Sequence, residues 1–96
     1  MQLIKYMPNK YPRIAQAELD LHQFTRVEAE IAVKDFLQDS ERANYNLVRI
    51  IVGKGLHSPD GAVLGDFVRN WLRDNDYDFR DAKINEGGVG AIDIKL

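Results

Sequence analysis

The chain has 96 residues, 45% of them hydrophobic, with a formal net charge of −2 and a pI near 5.6. That length makes one domain with a thin but real core, and the charge supplies no overall basic field, so any nucleic-acid site must be a local patch. The absence of cysteine excludes disulfides and thiolate metal sites, and no apolar run is long enough to span a membrane. With no signal-peptide pattern at the start, a cytoplasmic location is expected.

Residues 1–16 read as an N-terminal arm. Leu3, Ile4, Tyr6, Met7, Tyr11 and Ile14 are greasier than a free linker, while Pro8 and Pro12 forbid a continuous helix or a central strand. Two expectations stand side by side for the arm: an extended segment that packs back on the domain through its aromatic rings, or a frayed terminus. Ala17–His22 then reads as a short strand. Side chains alternate along a strand, so Leu19 and Leu21 point to one face and Asp20 and His22 to the other.

Thr25 and Glu28 have capping-box spacing, which predicts a helix running to about Arg42. Ala29, Ala32, Val33, Phe36 and Leu37 form its apolar stripe, while Val27 and Ile31 fall on another side. After the polar break Asn44-Tyr45-Asn46, residues 47–52 read as a buried strand that ends in Gly53-Lys54-Gly55. A second helix is predicted from about Ala62 to Asn75, with Leu64, Phe67, Val68, Trp71 and Leu72 inward. Residues 77–84 are a weaker strand, Asn85–Gly90 a turn cluster, and Ala91–Leu96 a final alternating strand. The order strand, helix, strand, helix, strand, strand implies a two-layer α/β sandwich: a four-stranded mixed sheet with two helices on one face.

In open α/β sheets, ligands gather at the carboxyl ends of parallel strands. One such end carries Asp20 and His22, the other Gly53-Lys54-Gly55. Glycines let backbone N–H groups approach an anion, and Lys54 adds a mobile cation. His22 is suited to general acid–base work near neutral pH, with Asp20 to fix its tautomer or bind a metal. Each feature also has a plainer structural reading. An Asp-x-His is more often a local hydrogen-bonded pair, a Gly-x-Gly is usually a tight turn, and His57 sits in a loop where exposure is ordinary. Trp71 belongs to a helical stripe, and Asp20, Arg49, Asp93 and Lys95 on the uncovered face can neutralise one another.

Together, Leu19-Asp20-Leu21-His22, Ala29 seven positions after His22, Gly53 and Gly55 after a strand, Trp71-Leu72, and Gly87-Gly88-Val89-Gly90-Ala91 before a last strand resemble the Smr (small MutS-related) domain family. The resemblance covers residues 17–96. It implies a fold like the C-terminal domain of bacterial translation initiation factor 3, nucleic-acid binding, and in many members endonuclease activity on RNA or DNA. On that resemblance Asp20 and His22 are the catalytic pair, and Gly53, Lys54, Gly55 and His57 belong to the substrate loop. Partners implied are RNA or DNA and the ribosome. No cofactor is required, though a divalent metal (Mg²⁺ or Mn²⁺) stays open, and the chain is expected to be a monomer. Two positions depart from the family pattern. Gln23 stands where a glycine usually follows the histidine, and Val52 stands where a histidine or threonine usually opens the glycine loop. The alternatives to an endonuclease are a binding module that does not cut, and an adaptor that docks through the arm and the Val27–Ile31 side.

Overall fold

A computed structural model describes residues 14–53, 61–83 and 88–96. Its elements run β1 (Glu18–Asp20), α1 (Arg26–Arg42), β2 (Leu47–Ile51), α2 (Gly61–Asp74), β3 (Asp78–Asp81), a 3₁₀ turn at Gly88–Gly90, and β4 (Ala91–Lys95). The sheet order is β1-β2-β4-β3. β1 is parallel to β2, whereas β4 is antiparallel to both β2 and β3. Consequently β1, β2 and β3 all point their carboxyl ends to one edge of the sheet, where β4 begins. This is the mixed four-stranded α/β sheet that the element order implies.

Both helices meet the sheet through ridges of residues four apart. Ala29, Val33 and Leu37 of α1, and Leu64, Val68 and Leu72 of α2, are buried against Leu21, Val48, Ile50, Ile92 and Ile94. Residues four apart lie one above the other on a helix face, so each helix needs only this one row to seal the core. Phe36, Phe67 and Trp71 close its rim as partly buried side chains. Trp71 stacks on Tyr77 with ring centroids 6.0 Å apart, a packing role for a residue placed on the helical stripe from sequence. Val27 and Ile31 lie off the buried row, 71% and 59% exposed.

Helix α1 starts as its spacing predicts. The Thr25 hydroxyl accepts from the Glu28 N–H at 3.1 Å, and the Thr25 N–H donates to Glu28 Oε1 at 2.9 Å. At the other end of the sheet, the side-chain oxygen of Gln16 accepts from the N–H groups of Asn46 and Leu47. The Gln16 N–H donates to the Leu47 carbonyl at 2.8 Å. The last residue of the expected arm is thus tied to the sheet, while Ile14 is 80% exposed. The expected packing of the arm's aromatic rings concerns residues 1–13, which lie outside the described residues.

The face of the sheet away from the helices carries charge. Arg49 and Asp93 are cross-strand partners joined by two hydrogen bonds, Nε to Oδ1 at 2.7 Å and Nη2 to Oδ2 at 3.3 Å. Glu18 approaches the same guanidinium at 3.7 Å. Asp93 is only 4% exposed, so this neutralisation is a condition of burying it.

Candidate functional site

Strand β1 ends sooner than the alternation alone implies. Regular pairing stops at Asp20, opposite Ile51, and the Leu21 N–H makes one more bond to the Ile51 carbonyl at 2.9 Å. His22 therefore sits in a turn rather than on the strand face. Its backbone N–H donates to Asp20 Oδ1 at 2.9 Å, and the Phe24 N–H closes the turn onto the Leu21 carbonyl at 3.0 Å. The Asp20 carboxylate thus holds the backbone that carries His22, leaving that side chain exposed.

Gln23 completes this turn in the left-handed region, at φ +66°. That conformation favours glycine because a Cβ crowds the following carbonyl. The position where the family pattern has glycine does require glycine-like backbone here, and Gln23 adopts it under strain.

The second strand end lies alongside. Ile51, which pairs with Asp20, is followed by Val52 and by Gly53 at φ +79°. Neighbouring strands are about 4.8 Å apart, so the turn carrying His22 and the opening of the glycine loop are adjacent. The N–H groups of Val52 and Gly53 both donate to the Gly90 carbonyl, at 2.9 and 3.0 Å. The start of the loop is thereby anchored to the 3₁₀ turn that precedes β4. On the far side, the Gly88 N–H donates to the Lys83 carbonyl at 2.9 Å and the Ala82 N–H to the Ala91 carbonyl at 3.0 Å. Asp20, His22 and Gly53 share one edge, whereas Lys54, Gly55 and His57 lie outside the described residues.

Val52 is 5% exposed and belongs to the core, so the departure from a polar residue there is filled by packing. Beneath it, Arg69 of α2 donates from Nε and Nη2 to Asp81 Oδ1 of β3, at 3.0 and 2.8 Å. A Cβ placed on Gly65 would stand 2.8 Å from Arg69 Nη1 and 3.4 Å from Val52 Cγ2. The arginine thus folds back over the glycine one turn before it, on the side where Val52 also approaches that glycine. Sequence reading missed this group. Its only signal was Gly65 itself, a glycine inside an otherwise clean helical stripe, which often marks a close approach.

Among the described residues no three His, Asp or Glu side chains gather to hold a metal ion. No described helix is long and apolar enough to cross a membrane. At the opposite end of the sheet, residues including Glu41, Asp76, Tyr77 and Lys95 line a shallow depression of about 350 Å³. Burial raises the Tyr77 phenol above its usual 10.0, and the negative charge of Glu41, 3.4 Å from the hydroxyl, adds to the effect.

Comparison with known proteins agrees with this architecture. The family model described as "Smr domain" matches residues 19–96. The Smr domain of Thermus thermophilus MutS2 superposes with a TM-score of 0.74 at 29% identity, covering 83% of this chain and 96% of that one. YdaL, a stand-alone small MutS-related protein from Escherichia coli, gives a TM-score of 0.76 at 30% identity, over 91% of this chain and 67% of that one. An uncharacterized protein of Treponema pallidum (strain Nichols) is 35% identical over 60 residues, 62% of this chain. That match spans 30% of the relative's own length.

Proposed function

Because the chain belongs to the Smr domain family, we propose that it binds nucleic acid at the carboxyl edge of β1 and β2 and cleaves phosphodiester bonds there with His22. The observation that carries this reading is the parallel register pairing Asp20 with Ile51, which puts the His22 turn beside the opening of the glycine loop. A chain of net charge −2 has no long-range attraction for a polyanion, so contact depends on such a local site. In the proposed arrangement, the backbone N–H groups and Lys54 of the loop hold a phosphate. The exposed His22 imidazole accepts the proton of the attacking water or ribose 2′-hydroxyl as its oxygen bonds to phosphorus, and the opposite P–O bond breaks, its leaving oxygen taking a proton from solvent. Asp20 is a positioning residue that fixes the turn through its bond to the His22 N–H.

Incubating the protein with end-labelled single-stranded RNA and with branched DNA, with and without Mg²⁺ or Mn²⁺, tests the proposal. Cleavage should appear and should fall at least a hundredfold in His22→Ala, the usual scale of a lost proton-transfer group. Cleavage that survives His22→Ala unchanged would overturn it. Two observations favour binding without cutting as a second reading. Val52 is apolar and buried, and the Asp20 carboxylate is engaged by backbone. That reading predicts salt-sensitive binding and no cleavage with any metal.

A further inference from the structure

Val52 is apolar and buried, so it brings no polar side chain to the carboxyl edge. The guanidinium of Arg69 lies next to it. Nη1 of Arg69 and Cγ2 of Val52 come within 2.8 and 3.4 Å of one point, the place a Cβ would occupy on Gly65. The arginine reaches that point because Gly65 leaves the space empty, and Asp81 holds it there through Nε and Nη2 on a single carboxylate oxygen. The arginine side chain is 21% exposed and that of Asp81 48%, so the pair is open to solvent.

Resting on the nucleic-acid reading above, we propose that Arg69 is a phosphate-binding residue of this edge. It takes one backbone phosphodiester of the bound strand in exchange for part of its contact with Asp81, and Gly65 is the residue that makes room. A planar guanidinium suits the task better than an ammonium, because two parallel N–H groups match two phosphate oxygens. The carboxylate of Asp81 competes with the phosphate for the same cation. An arginine that only clamped α2 to β3 would show no such competition.

The test is fluorescence-anisotropy binding of a labelled single-stranded RNA over a series of salt concentrations. Arg69→Gln should weaken binding about tenfold at low salt. It should also lower the slope of log affinity against log salt by about 0.7, the value for one lost contact to a single strand. Asp81→Asn should bind more tightly than the wild type, since the competing charge is gone. Should Arg69→Gln fold poorly, Arg69→Met, which keeps an unbranched stem over Gly65 and removes the charge, is measured in its place with the same two expected results. An unchanged slope in Arg69→Gln, or weaker binding in a folded Asp81→Asn, overturns it while leaving the nucleic-acid reading intact. A wild-type protein that binds no nucleic acid at low salt overturns both.

Discussion

Two arginine–aspartate pairs of similar chemistry stand in opposite settings. Arg49 and Asp93 join the two central strands, with side chains 11% and 4% exposed. Arg69 and Asp81 join a helix to an edge strand and are 21% and 48% exposed. In the first pair the carboxylate matches the guanidinium oxygen for nitrogen, which compensates two buried charges. In the second, both nitrogens share one oxygen beside a strand end. The contrast separates a pair that satisfies the interior of the sheet from one that presents a charge at its edge.

The largest expected effect breaks the first pair. Asp93→Ala removes the buried carboxylate that takes two hydrogen bonds from Arg49 and should cost about 3–5 kcal/mol, read as a shift in the urea midpoint. Replacing both residues with apolar side chains of similar volume should be far milder, because no stranded charge remains. If the single and double variants unfolded alike, the interior pair would not be acting as charge compensation.

The edge should behave in the opposite sense, giving up stability for presentation. Gln23→Gly relieves a left-handed side chain and should stabilise the fold by about 0.5–1 kcal/mol. A loss of stability on that change would mean that Gln23 makes contacts worth more than its backbone strain. Arg69→Gln should change stability by only about 0–1 kcal/mol, as for other solvent-exposed pairs. A cost as large as that of Asp93→Ala would erase the distinction between the two pairs.

The smallest effect lies at the far end of the sheet. Tyr77 holds its proton above the usual 10.0 because burial and the Glu41 charge disfavour the phenolate. A raised folded-state value contributes stability that is fully present below the unfolded value and is lost as pH rises through the folded one. Stability should therefore decline above pH 10 (the unperturbed phenol value), and Tyr77→Phe should flatten that decline in denaturation curves taken across the window.

Much of this was legible in the sequence because it rests on local rules. The Thr25–Glu28 capping box, the two helical stripes and the alternation of Ile92 and Ile94 each follow from a period of 3.6 or 2 and from short-range bonding. The family pattern likewise marked position 23 as one that wants glycine, and the backbone there is left-handed. The insertion of β4 between β2 and β3 was not legible, since strand order is decided by long-range pairing. Nor was the early end of β1, where the bond from the His22 N–H to the Asp20 carboxylate replaces strand geometry. The Arg69–Asp81 contact joins residues twelve apart on different elements, and no periodicity announces it. For the same reason the helix residue nearest Val52 emerged only from the packing around Gly65.

The most direct test of the proposed location is an amide chemical-shift titration of the ¹⁵N-labelled protein with single-stranded RNA at low salt. The shifts should concentrate at residues 20–25, at Val52 and Gly53, and at Lys83 and Gly88–Gly90, at the carboxyl edge of β1, β2 and β3. Shifts concentrated around Glu41, Tyr77 and Lys95 at the opposite end, or no shifts at all, would contradict it.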